Sequence, residues 1–424
     1  MSFDFQYPVR DFGEALAVVD PTVEIDIFQH EVYVNLDEIR GTRFLTGILT
    51  KLGVRDGNYI GAHRAFPKIL LTGHRGSGKS VELERIRQKL ENAYLTIHID
   101  IEKDLVKLST AEPEHIYQLL LIKLIEALKA KEIGFDGRKF KSIADLWLNE
   151  EERTKEYKSE LKFGINLDEF LGDLKNVLSF SLLSSIKDSR KITQRIKRNI
   201  QDIIEKFNLE LDDLYYHQFK ENNLNGGVVF ILDGTEKLNY EVAKNIFIND
   251  APVVGQMHCA MVMASPVFSL YDIEGGVAYF SQEMFPMVKL DNPEKIARFK
   301  EIITRRIDEA TFFESGILEC ATRKSGGSIR ILLEIVHRLL VTSEYKIIGE
   351  ATLMEALKEL GLSYWRRLDG THKKILKEYK GDLDFGDEKV KEMLFSLVLI
   401  VQNGKAIINP LLVPYIEGHE NYLC

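Results

Sequence analysis

The spacing of apolar residues changes several times along the chain, and each change marks a different element. Residues 1–66 carry short alternating stretches, Val23-Glu24-Ile25-Asp26-Ile27 and Val32-Tyr33-Val34, then Leu45, Ile48, Leu49 and Leu52 at helical spacing. At Lys68 the texture shifts. Ile69-Leu70-Leu71-Thr72 predicts a buried strand, a glycine-rich loop runs to Ser80, and Val81, Leu83, Ile86 and Leu90 predict a helix. Tyr94–Asp100 predicts a second strand, which the intervening crossover is long enough to place as a parallel neighbour of the first. From about Ile116 to Lys220 the pattern is helical and free of proline. Strands return at Val228–Leu232, after the breaker Asn222–Gly226, and at Ala260–Ala264. The fold class that follows is α/β, a parallel sheet split around a helical insertion.

Residues 291–345 read as helices with a break at Ser325-Gly326-Gly327. The tail continues with helical patterns at 352–360, 371–380 and 388–396. Leu397–Val401 and Ala406–Asn409 then meet at Asn403-Gly404, a strong signal for a two-residue hairpin. Helices ending in a hairpin resemble a winged helix.

With 424 residues the chain exceeds one ordinary domain, so two or three are expected. A net charge of −9 argues against coating nucleic acid by bulk positive charge, so any polyanion site must be local. No apolar run approaches the ~18 residues of a membrane span, and the start is acidic and interrupted; a cytoplasmic setting with no membrane partner is the expectation. Cys259, Cys320 and Cys424 lack metal-ligand spacing and are expected to be packing residues rather than a disulfide framework.

One stretch carries specific chemistry. Gly73-His74-Arg75-Gly76-Ser77-Gly78-Lys79-Ser80, followed by Val81, fits G-x-x-x-x-G-K-[ST] without a mismatch. Its glycines let the backbone fold into a nest of N–H groups, and the next helix aims its positive end at the same point. Lys79 can reach outer phosphates and the Ser80 hydroxyl can ligate Mg²⁺. Such a loop suits a nucleoside triphosphate. It requires an acidic partner on a nearby strand, and Asp233, closing Val228–Leu232, supplies one.

These residues resemble the AAA+ and STAND branch of P-loop ATPases, of prokaryotic type. The resemblance rests on GHRGSGKS at 73–80, VVFILDGTEKL at 228–238 and SGGSIR at 325–330, and covers roughly 150 residues. It implies ATP and Mg²⁺ as cofactors, with Ser80 and Asp233 at the metal. Where NACHT-like members end the acidic strand Asp-Gly-x-Asp-Glu, this chain reads Asp233-Gly234-Thr235-Glu236-Lys237. Glu236 is then the residue to polarise the attacking water, or else a carboxylate at a helix start. Ser265, after Met261–Ala264, matches sensor 1, or is a serine ending a strand before Pro266. Arg330 matches sensor 2, whose planar fork suits phosphate oxygens, or is a solvated helix arginine.

On this resemblance the chain divides into a lead-in (1–66), ATPase core (67–129), helical insertion (130–225), second core part (226–290), helical lid (291–345) and winged-helix-like domain (346–424). The insertion explains the 154 residues between Lys79 and Asp233, which also makes a KAP-like ATPase a reasonable relative. No arginine stands between Lys237 and Lys295 to act as a finger in trans. Lys237, Lys244 or Lys289 deputises, or Arg305 or Arg306 projects, or no ring is needed; Arg305-Arg306 reads mainly as surface charge. Lys187, Lys191, Arg195 and Arg198 share a helix face beside Ile192, Ile196 and Ile200, a local polyanion stripe or a solvated face. Residues 351–424 hold ten Lys/Arg against eleven Asp/Glu, so the tail favours docking on the lid or another protein over DNA.

Three functions follow as expectations. The first is an ATP-driven switch coupled to a protein partner. The second is a DNA-linked motor or loader using 187–198. The third, resting on the resemblance alone, is an ATP-gated, self-assembling scaffold in a prokaryotic antiviral defence or toxin-like system.

Overall fold

The computed structural model describes residues 5–23, 28, 32–41, 44–62, 64–105, 111–146, 167–183, 187–238, 240–270, 279–402 and 404–418. Residues 24–27, Asn403 and Cys424, which entered the sequence expectations, lie outside them, as do 147–166 of the insertion. The chain forms two compact units, one of Leu45–Thr72 and Lys79–Glu283, the other of Met1–Phe44, Gly73–Gly78 and Met284–Cys424.

The first unit holds the sheet. Its strands are β1 (Lys68–Thr72), β2 (Leu95–Asp100), β3 (Val228–Asp233), β4 (Ala260–Ser265) and β5 (Ser281–Met284), in the order β2-β3-β4-β1-β5. The pairs β1–β4, β4–β3 and β3–β2 are parallel. Every residue of β1, β3 and β4 is buried, as a parallel sheet covered on both faces requires. Edge strand β2 instead alternates, burying Leu95, Ile97 and Ile99. Here the expectation needs correcting: β2 is parallel to β1 but is not its neighbour, because β3 and β4 lie between. The continuous apolar runs of β3 and β4 take the interior, and the alternating β2 tolerates an edge.

Helix α1 (Lys79–Leu90) buries Leu83, Ile86 and Leu90, at the spacing the sequence showed. Between β2 and β3 the longer described helices are α2 (Pro113–Ala130), α3 (Leu167–Leu183) and α4 (Lys187–Leu214), with the shorter Ile101–Asp104, Gly137–Ala144 and Tyr215–Phe219 beside them. At the start of β1, Lys68 is buried at 4% exposure. Its ammonium donates to the carbonyls of Phe66 (3.0 Å), Met257 (2.8 Å) and Cys259 (2.7 Å), anchoring the turn ahead of β4. Burial lowers its pKa.

The second unit is helical, with α5 (Pro293–Thr304), α6 (Ile317–Lys324), α7 (Ile329–Thr342), α8 (Glu350–Arg366), α9 (Gly370–Glu378) and α10 (Glu388–Phe395). Its strand pair is an antiparallel hairpin, β6 (Leu399–Gln402) and β7 (Lys405–Ile408), followed by the short helix Val413–Glu417. The register pairs Gln402 with Lys405, leaving the two-residue turn the sequence indicated. The Gln402 side chain donates to Gly326 O at 2.9 Å, tying the hairpin to the turn before α7.

Two readings change. Arg306, read as surface charge, is 8% exposed; burial drives its pKa down to about 10, while Arg305 donates to Tyr33 O at 2.6 Å. Cys259 is a buried free thiol, but Cys320 is disulfide-bonded rather than a plain packing residue. Among the described residues no helix is long and apolar enough to cross a membrane.

Candidate functional site

The sheet brings three strand ends side by side. Parallel pairing sets Thr72 opposite Ser265 and Leu232 opposite Met263, so the carboxyl ends of β1, β4 and β3 converge where α1 begins. Carboxyl ends of parallel strands are where open α/β sheets place their ligands.

Ser80, in the first turn of α1, donates to Asp233 Oδ1 at 3.0 Å, so residues 153 positions apart share a hydrogen bond. Asp233 also accepts from the Gly234 N–H at 2.8 Å. Its pKa is raised, chiefly by burial and then by the charge of Glu236, against the lowering effect of the Ser80 bond. A hydroxyl and a carboxylate together are hard oxygen donors of the kind Mg²⁺ takes in one or two positions, water and phosphate filling the rest. Among the described residues no group of three or more His, Cys, Asp or Glu could hold a metal ion.

Gly234 adopts φ +79°, a left-handed conformation that swings the chain from β3 into the 3₁₀ turn Thr235–Lys237. The Thr235 hydroxyl bonds to Ala264 O on β4, fixing that turn against the neighbouring strand. Glu236 is thereby buried at 5% exposure, with Oε1 3.8 Å from Lys79 Nζ. Its Oε2 is buried without a hydrogen-bond partner, a costly state that a ligand or water would relieve. Lys237 pairs with Glu102.

Ser265 is fully buried. Its hydroxyl shares a 2.6 Å hydrogen bond with Thr72 and accepts from Ser269 at 3.1 Å, so it sits inside a chain of hydroxyls. Sequence reasoning missed Thr72 and Ser269, whose residue types carry no signal by themselves.

Loop residues Gly73–Gly78 belong to the helical unit and are braced there. Gly76 has φ +72°, and a Cβ at that position would stand 2.2 Å from Arg330 Cβ. Arg330, at the start of α7 behind the Ser328 N-cap, donates its backbone N–H to Gly76 O at 3.2 Å. Arg40 donates to Ser77 O at 2.8 Å and lies over the Phe285 ring at 4.1 Å. It too was missed, since an arginine in the lead-in has no motif around it. Ser77 Oγ donates to His74 O at 2.9 Å, Arg75 lies over the Phe395 ring at 5.4 Å, and Val81 is half-buried in α1.

Of the basic stripe, Arg198 is exposed, and Ile196 beside it is buried; the side chains of Lys187, Lys191 and Arg195 lie outside the described residues.

No family model and no curated protein matches the chain. Among solved structures it is similar to the Walker-type ATPase PABY2304 of Pyrococcus abyssi, at 13% identity and a TM-score of 0.41, over 91% of this chain and 96% of that one. At that score the likeness is too weak to assign a role to any residue.

Proposed function

We propose that the chain binds a nucleoside triphosphate with Mg²⁺ at residues 73–80 and hydrolyses it as an ATP-driven switch. The observation that carries this reading is the cluster within the sheet unit, Ser80 on Asp233 at 3.0 Å beside the Lys79–Glu236 pair at 3.8 Å. Backbone amides of the loop take the phosphate oxygens and Lys79 neutralises the outermost. Ser80 and Asp233 hold the cation, which when bound supplies charge neutralisation for the leaving phosphate. Glu236 accepts a proton from the attacking water through its unpartnered Oε2. Ser265, held by Thr72, orients that region as a polar strand end.

Arg330, packed on Gly76, is the residue proposed to report the state of the loop to α7. Bound triphosphate and its hydrolysis product then favour different arrangements of the helices that follow, which a protein partner can read. Adenine, the partner and the winged-helix-like character of 346–424 belong to the same proposal. The test is nucleotide turnover by the wild type beside Lys79→Ala. Turnover lost in the variant supports the reading, and equal rates would refute it.

A further inference from the structure

The motif accounts for the glycines, Lys79 and Ser80 of the loop, but not for the choice of histidine at position 74. His74 is 3% exposed, and its Nε2 accepts a 2.7 Å hydrogen bond from the backbone N–H of Val401, 327 residues later. Val401 lies in β6 opposite Ala406, one pair inward from the turn-closing pair Gln402–Lys405. In an antiparallel hairpin with a two-residue turn, that inner pair is a non-hydrogen-bonded one, so the Val401 N–H faces away from β7. Left alone it would be a buried, unpaired donor, and the imidazole satisfies it.

A second contact repeats the link one residue on. Arg75 lies over the ring of Phe395, the last residue of α10, which leads directly into β6. A third ties the same strand one residue on from Val401, where Gln402 bonds Gly326 ahead of Arg330 and its own contact with Gly76. Loop, α7 and hairpin thus form a closed circuit of contacts within the helical unit.

We infer that His74 is a positioning residue that fastens the phosphate loop to the terminal hairpin, so that the hairpin sets the loop's shape for nucleotide. This rests on the function proposed above only for its second consequence; the fastening itself is independent of nucleotide. It assigns the hairpin of residues 399–408 a part in shaping the loop at residues 73–80. Glutamine preserves an acceptor at comparable reach, whereas alanine removes it. Proline at 401 removes the donor from the other side, at a position whose N–H makes no ladder bond.

The experiment measures two quantities in the full-length chain: exchange of the Val401 amide without nucleotide, and equilibrium affinity for a fluorescent ATP analogue with Mg²⁺. His74→Ala is expected to speed Val401 exchange and weaken affinity about tenfold, the size of one buried hydrogen bond. His74→Gln is expected to restore both to within about threefold of wild type. Val401→Pro, read by affinity alone, is expected to match His74→Ala, and serves if the alanine variant does not fold. Wild-type exchange at Val401 as fast as in His74→Ala would overturn the fastening, whether or not nucleotide binds. Wild-type affinity in His74→Ala or Val401→Pro, or a glutamine variant as weak as alanine, would overturn its consequence for the loop. Failure of the wild type to bind any nucleotide, with slow Val401 exchange lost in His74→Ala, would refute the proposed function while supporting the fastening.

Discussion

The Ser80 hydroxyl donates to the Asp233 carboxylate at 3.0 Å, joining the start of α1 to the end of β3. The sheet makes this meeting possible. Strand β4 pairs with both β1 and β3, so the segments that lead into residues 73 and 234 finish at one edge despite the long helical insertion between them.

Glu236 stands against Lys79 with one carboxylate oxygen unpartnered. Glu236→Gln keeps the shape and removes the base. Turnover at saturating nucleotide is expected to fall about a hundredfold or more, with affinity within about threefold of wild type. Pre-steady-state and equilibrium measurements on the same preparation separate the two; an unchanged turnover would remove Glu236 from the reaction.

Gly76 is constrained twice, by φ +72° and by the 2.2 Å approach of Arg330 Cβ to any added methyl group. Gly76→Ala is expected to lose about 2 kcal/mol or more of stability, because the strained backbone and the clash with α7 act together. Denaturant unfolding checks this, and a loss below about 0.5 kcal/mol would show that the loop is not braced as described.

Glu114, in the first turn of α2, is 4% exposed. Burial, aided by the negative charges of Glu112 and Asp250, pushes its pKa up to about 7. In the unfolded chain a glutamate titrates near ~4.3, so the folded state holds the proton more tightly. Its contribution to stability is therefore complete below about pH 4 and lost as pH rises through about 7, a change of at most about 4 kcal/mol. Glu114→Gln should match wild type near pH 4 and exceed it by about 1–3 kcal/mol at pH 8. Equal unfolding midpoints at both pH values would contradict this.

The parts legible in the sequence were those that depend on neighbours along the chain. Gly73–Ser80, the apolar run ending at Asp233 and the two-residue hairpin turn each announce a local backbone requirement. The sequence pairs Ser80 with Asp233 because phosphate chemistry calls for both. The bonds of Arg40 to Ser77 O and Val401 N to His74 join residues 37 and 327 positions apart, and a lone arginine or a strand valine carries no periodicity that points so far. Strand order was obscured for the same reason. Length allowed β2 to neighbour β1, and only the competition of β3 and β4 for the buried interior places it at the edge. Arg306 misled because its place just after the end of α5 says nothing of what covers it.

The most direct test of the account is the affinity of the protein for a fluorescent ATP analogue, with and without Mg²⁺, in the wild type and in Asp233→Asn. The wild type is predicted to bind at least about tenfold more tightly with Mg²⁺, and Asp233→Asn to lose most of that gain. Binding that is absent in the wild type, or a Mg²⁺ effect of equal size in both proteins, would contradict a nucleotide site built on Ser80 and Asp233.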